Sequence, residues 1–428
     1  MSSLEQRLAA GTRWSVVGAL VGRGLSFAAA VMVARILGPH DYGELAMLQS
    51  SAALLQVLGI FGLATAATNY VAQYQQTRPE AVGQVIAFVQ VACLVLSTVL
   101  ASLAFAGAPW FAERVLLAPN LTLAVRIGAL LVIGGALENV QAGVLAGLHA
   151  FRSLAYVQSA GGMLSVVMVP LAAHQWGTVG ALGALAVCLL CQTALGALVI
   201  AFECRSGSVH VLYRSCLRER RLLLNFSLPL VLGNLTLVAV PWIAATLLVS
   251  QPAGYEQMGV LSVANHWLTA LTIVPTVLVQ PLLPILSEQL ALSRSNEAIG
   301  VLRASARMSV LVVWPLVAAC VIASPWIICL YGPAFERSLP TLVVSLLTAA
   351  VVAIIIPSGQ VMFACRRIWP AFLLNLGWGV LVLFGAWLLI DRGAFGVAMA
   401  RLAGYVALGA GTVAYGMRLL RAVRRDET

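Results

Sequence analysis

The sequence predicts an all-α integral membrane protein of about twelve transmembrane helices in two six-helix lobes, and three observations predict it. The chain is 61% hydrophobic and only 9% charged, a balance that a bundle of spanning helices demands and a soluble domain does not. Its apolar runs have the length needed to cross a hydrocarbon core of ~30 Å, and Pro, Gly and charge separate them. Finally, landmarks in the first half recur in the second at an offset of 216 residues, as expected of a parallel repeat about an axis along the membrane normal.

The predicted spans are 14–37, 44–68, 82–106, 122–147, 154–174, 178–202, 224–249, 257–283, 307–330, 339–363, 369–390 and 394–418. With the amino terminus inside, most loop arginines fall on one side, among them Arg78, Arg152, Arg205, Arg294, Arg303 and Arg418. Only Arg35, Arg114, Arg126, Arg337 and Arg392 fall on the other, so the positive-inside rule places both termini in the cytoplasm. Trp14, Trp110, Trp176 and Trp326 sit near the predicted boundaries, where aromatic belts form. The longest polar stretch lies at the midpoint, so the chain divides into a lobe at 1–203, a cytoplasmic linker at 204–222 and a lobe at 223–428. That linker is either an amphipathic surface helix drawn to anionic lipid or a topology signal alone.

The repeat rests on Pro109-Trp110 against Pro325-Trp326, Gly43 against Gly259, Gly143 against Gly359, and Gly177 with Gly180 against Gly393 with Gly396. Parallel-repeat transporters bind substrate between their halves. Pro229, Pro241, Pro275, Pro281 and Pro284 predict interruptions in the seventh and eighth helices and a hinge in the second lobe.

Several classes are excluded or disfavoured. All 25 basic residues are Arg, so no Walker A lysine exists to grip a nucleotide phosphate. The net charge of +10 is spread over short loops and forms no basic domain, which argues against nucleic acid as a partner. The eight cysteines are scattered, and Cys188 and Cys191 lack the histidine or second pair that a metal centre needs, so no metal and no cofactor is expected. The first apolar stretch carries Arg23 and leads into further spans, which marks a retained helix, not a signal peptide.

Three ionisable residues lie deep: Arg23, Glu138 and Arg401. Nine helical residues from Trp14 put the Arg23 guanidinium roughly 14 Å into the membrane, and Glu138 lies at a comparable depth. Such a cation needs a wet cavity or an anion, and a guanidinium suits a diphosphate because its fork donates two parallel hydrogen bonds. Glu138 is open to three readings: a structural ion pair with Arg23, a proton or sodium site that reloads Arg23, or a carboxyl facing water. Arg401 either holds a phosphorylated group or pairs a backbone carbonyl. Asn234, Asn265 and His266 are deep polar groups that line a sugar path or make interhelical hydrogen bonds. Gly18, Gly22 and Ser26 form a small-residue stripe for close helix packing.

The stretches LGPHDYGELAMLQS (Leu37 to Ser50) and LGIFGLATAATNYVAQY (Leu58 to Tyr74) resemble the opening of bacterial polysaccharide flippases. These are the O-antigen and capsule lipid-linked oligosaccharide translocators of the multidrug/oligosaccharidyl-lipid/polysaccharide exporter (MOP) superfamily. The motif runs from Arg35 through Leu37, Gly38, Pro39 and Tyr42 to Gly43. The resemblance implies a non-enzymatic flippase of the bacterial inner membrane, monomeric and served by membrane lipids. It would move an undecaprenyl-diphosphate-linked oligosaccharide outward by alternating access, with the polysaccharide polymerase machinery as a partner. Within it, Arg23 matches approximately a first-helix arginine of the diphosphate cavity. A multidrug or toxin cation antiporter of the same superfamily is the alternative. An O-antigen ligase or polymerase is disfavoured, because the longest outer segment offers only Glu113 and Arg114 for chemistry.

Overall fold

The computed structural model describes the backbone of residues 3–206, 220–279, 282, 285, 286, 289, 295–365 and 367–427. Side chains are described for 21–75, 78, 80–206, 234–279, 282, 285, 286, 289, 296–362, 364, 365, 367 and 369–419. The predicted linker lies outside the described residues over 207–219, as do Pro281 and Pro284, and so do the side chains of Trp14, Gly18 and Pro229.

The described regular structure is helical. Its helices are α1 (Ser3–Ile60), α2 (Leu63–Thr77), α3 (Pro79–Ala106), α4 (Ala108–Arg114), α5 (Thr122–Gly147), α6 (Phe151–Ser206) and α7 (Arg220–Val249). They continue as α8 (Gly254–Val279), α9 (Ser295–Ile322), α10 (Ser324–Tyr331), α11 (Leu339–Ala364), α12 (Ile368–Leu388) and α13 (Gly393–Glu427). Among the described residues, nine helices are long and apolar enough to cross a membrane.

The breaks fall at glycines, not at the prolines that sequence reasoning selected. α1 leaves helical geometry at Gly38 (φ 75°, ψ 176°), and α6 does so at Trp176 and Gly177 (φ 60°, ψ −144°). Helix α7 continues through Pro241 and α8 through Pro275, so the interruptions expected there are absent. The predicted span 44–68 is divided by a turn at Phe61 and Gly62, both with positive φ, and α2 then runs on to Thr77. A proline deletes one donor and bends a helix, whereas a residue at positive φ takes the chain out of the helix altogether.

The chain forms two compact units. The first comprises Met1–Leu37 and Glu44–Trp242, the second Gly38–Gly43 and Ile243–Thr428.

In the first unit, α5 packs on α2, α3 and α6. Ala66, Val71, Val85, Ile86, Cys93, Ala136, Val140 and Val144 make its core. Small residues set the spacing: a Cβ added to Gly143 would stand 2.3 Å from the Ala64 carbonyl oxygen, and the Thr68 hydroxyl donates to the Gly143 carbonyl at 3.0 Å. Glutamines also span helix pairs. Gln56 donates to the Leu131 carbonyl at 2.9 Å while lying on Gly135, and buried Gln141 donates to the Thr193 carbonyl at 3.1 Å while lying on Gly196. Each bond satisfies a side-chain amide that an apolar interior would otherwise penalise.

In the second unit, α11 packs on α8, α9 and α13, and α12 packs on α13. Leu342, Ser345, Leu346 and Ala349 are fully buried on α11. Gln257 fixes the start of α13 by accepting the Ala394 amide at 3.0 Å, beside Gly393 at positive φ.

The segment Gly38–Gly43 belongs to the second unit through a reciprocal close approach. A Cβ on Gly43 would lie 1.8 Å from the Tyr255 carbonyl oxygen, and one on Gly259 would lie 2.0 Å from that of Pro39. Only glycine allows backbones this near.

Candidate functional site

The first unit assembles a polar group around α5. Gly22 on α1 meets α6 so closely that a Cβ there would lie 2.7 Å from the Gln158 carbonyl oxygen, and one on Gly162 would lie 2.6 Å from the Gly22 carbonyl. This is the close packing expected of the small-residue stripe, and within α1 Ser26 donates to the Gly22 carbonyl at 3.0 Å. The crossing fixes the neighbouring Arg23, whose side chain is exposed, so that its positive charge acts on Glu138. The two do not close to ion-pair distance. Glu138 is half-buried and accepts a long 3.4 Å hydrogen bond from Gln192, which lies against Gly161. A cation and a carboxylate in mutual range without direct contact leave the guanidinium's donors available to a ligand.

The second unit holds a half-buried cation. Arg401 on α13 donates through Nη1 to Asn265 and through Nη2 to Ser345 at 2.8 Å. Its Nε is buried and, among the described residues, has no hydrogen-bond partner. Tyr405 lies close enough to interact electrostatically with it, and Trp378 packs on Tyr405 with ring centroids 5.1 Å apart. The partners of this guanidinium are therefore side chains of α8 and α11 and not the backbone carbonyl considered from sequence.

His266 follows Asn265 but serves another contact. Its Nδ1 is 2.9 Å from the hydroxyl of Tyr42, the tyrosine of the Gly38–Gly43 segment. Tyr42 is buried, is also hydrogen-bonded to Ser262, and packs edge-on against Phe335. Tyr331 extends this aromatic group by accepting from the Trp267 indole at 3.1 Å, and burial pushes its phenol up to about 12, so it stays neutral at physiological pH. Asn234 is exposed on the part of α7 that belongs to the first unit, whereas Asn265 and His266 belong to the second.

Sequence reasoning missed an apolar cavity of about 320 Å³ in the first unit. Leu48, Leu55, Leu103, Trp110, Val132 and Trp242 line it, and Trp242 donates to Ser51 at 3.0 Å. Its lining residues come from five helices with no shared motif, so no sequence signal marks it. Cys188 and Cys191 are free thiols, the first buried and the second exposed.

The long apolar helices mark a polytopic membrane protein, and its fold is that of solved MOP-superfamily transporters. The inward-facing conformation of a multidrug resistance MATE family transporter of that superfamily matches with a TM-score of 0.78 at 15% identity, covering 96% of this chain and 99% of that one. The outward-facing conformation of a multidrug resistance MATE family transporter of the MOP superfamily matches at 0.66, with 14% identity and coverage of 98% and 96%. A MOP superfamily transporter from Pyrococcus furiosus, described as having a binding pocket of reverse polarity, matches at 0.66, with 15% identity and the same coverage. No curated protein matches the sequence. The family model described as polysaccharide biosynthesis protein matches residues 8–290, and the chain belongs to that family. The fold is that of the solved transporters named above. The resemblance noted at Leu37–Tyr74 is thus borne out.

Proposed function

We propose that this protein is a secondary transporter that flips an undecaprenyl-diphosphate-linked oligosaccharide from the inner to the outer leaflet of the bacterial inner membrane by alternating access. Family membership over residues 8–290 carries the reading. The Arg23 guanidinium, exposed at depth and tempered by Glu138, supports it as the diphosphate seat, because a diphosphate crossing oil needs a fixed cation. Arg401 is the second cation. Glu138 is the ion-coupling or pairing group, and Asn234, Asn265 and His266 border the path of the sugars.

The proposed architecture is twelve crossings with both termini cytoplasmic, in lobes 1–203 and 223–428 joined by the linker 204–222. Helices α1 and α6 are 58 and 56 residues long, far beyond one crossing of ~20 residues, and their breaks supply the extra turns. The 216-residue repeat is supported by the matched bounds of α3 (Pro79–Ala106) and α9 (Ser295–Ile322). It is supported further by the near-identical backbone of Gly177 (φ 60°, ψ −144°) and Gly393 (φ 59°, ψ −139°). Gly143 and Gly359 differ, since only the first is in close contact. The protein acts as a monomer among membrane lipids and hands its cargo to the polysaccharide polymerase machinery.

The test is deletion followed by leaflet-resolved analysis of lipid-linked glycan, with complementation by Arg23→Ala and Arg23→Lys. The expected result is glycan trapped in the inner leaflet, not rescued by Arg23→Ala and partly rescued by Arg23→Lys. The matches to MATE family transporters favour a second reading, a multidrug cation antiporter. Drug sensitivity on deletion with unchanged glycan distribution would establish that reading and overturn ours.

A further inference from the structure

The geometry points to a binding site for one anionic phospholipid on the outward side of the α3–α5 pair, separate from the deep polar groups. A shallow groove of about 510 Å³ runs along this face of the first unit. Its floor and walls are apolar: Ala101 and Phe105 from α3, with Leu123, Ile127, Leu130 and Ile133 from α5. The α5 residues follow the three- and four-residue spacing of one helix face, so the trough runs along the helix for about 10 Å between Arg126 and Ile133.

One cation stands in this trough, at one end. Arg126 lies one turn inside the start of α5 and Phe105 beside the end of α3, so both occupy the same membrane boundary. The guanidinium lies 5.3 Å from the centre of the Phe105 ring, which orients it over the groove. Among the described residues no carboxylate reaches ion-pair distance of it.

Charge complementarity selects the occupant. A phosphate diester takes two parallel hydrogen bonds from a guanidinium, and an acyl chain below it would cover Ile127, Leu130 and Ile133. A zwitterionic headgroup would bring its own cation beside Arg126, so phosphatidylglycerol is favoured over phosphatidylethanolamine.

The experiment is native mass spectrometry of the purified full chain titrated with phosphatidylglycerol or phosphatidylethanolamine. The variants are Arg126→Gln, Ile133→Trp to fill the trough, and Arg392→Gln as a control for diffuse surface charge. The wild type should retain phosphatidylglycerol preferentially, with affinity falling about tenfold in Arg126→Gln and unchanged in Arg392→Gln. Ile133→Trp should reduce retention of both lipids. Equal retention of the two lipids by the wild type, equal losses in Arg126→Gln and Arg392→Gln, or undiminished retention by Ile133→Trp would each overturn the site. Displacement of the phospholipid by a short prenyl diphosphate at equal concentration would reassign the groove to the transported lipid and overturn it too.

Discussion

Replacing Gly43 by alanine tests why the Leu-Gly-Pro-x-x-Tyr-Gly motif exists. The new methyl would stand 1.8 Å from the Tyr255 carbonyl oxygen and close to the Gly259 amide nitrogen, whereas ordinary van der Waals contact begins near 3.4 Å. Both neighbours are backbone, so no rotamer change relieves the clash and the segment must move as a body. Overpacking of this kind costs about 3 kcal/mol at the upper end of its usual range, roughly a hundredfold in the ratio of folded to unfolded protein. Gly377→Ala is the matched control, because nothing lies within 4 Å of its added Cβ and a helical alanine is worth about 0.5–1 kcal/mol over glycine. Both variants would be purified in one detergent and unfolded by graded denaturing detergent, with tryptophan fluorescence as the signal. Gly43→Ala should unfold far earlier than wild type, and Gly377→Ala no earlier. The reciprocal geometry adds a sharper demand: Gly43→Ala with Gly259→Ala should cost less than the two singles combined, because one displacement of the same crossing relieves both. A Gly43→Ala protein as stable as Gly377→Ala, or strictly additive costs, would refute the reasoning.

Tyr42→Phe removes the hydroxyl that meets His266 and should destabilise by about 1 kcal/mol; a double-mutant cycle with His266→Ala should show coupling of similar size, and zero coupling would mean the contact contributes nothing. Asn265→Ala strips Arg401 of one acceptor and should cost about 1–3 kcal/mol in the same unfolding assay, with more than half regained in Asn265→Asp. Glu138→Ile should fold normally, because the bond it loses from Gln192 is long at 3.4 Å, yet it should fail to restore surface polysaccharide to a deletion strain; full complementation would show that Glu138 plays no part in transport.

Legibility followed the range of the interactions. The long helices were readable because apolar length is a property of contiguous residues, and α3, α5 and α12 lie close to their predicted spans. The turn at Phe61 and Gly62 was not, because Phe61 takes positive φ in an apolar run that carries no proline or charge to announce a break. The prolines misled in the opposite direction: inside a long helix a lost donor is absorbed, and α8 continues past Pro275. That Arg401 would meet Ser345 on α11, or that His266 would serve the motif tyrosine across 224 positions, depends on the docking of distant helices, which no local pattern encodes.

The proposed repeat also separates what the fold requires from what function requires. At an offset of 216, Arg23 corresponds to Ala239, Glu138 to Ile354 and Arg401 to Leu185. Each deep charge thus stands where the other copy builds the same helix with an apolar side chain, so the architecture does not need a charge at any of the three places. The glycines behave otherwise: Gly43 and Gly259 recur at this offset and lock against each other's segments, and Gly177 and Gly393 recur with the same backbone angles. Burying a charge in a bilayer protein carries an energetic penalty that chain entropy and packing give no reason to retain. Gly43 and Gly259, common to both copies, therefore hold helices together. The charges found in one copy alone, at that penalty, are the ones that the proposed phosphorylated cargo would account for.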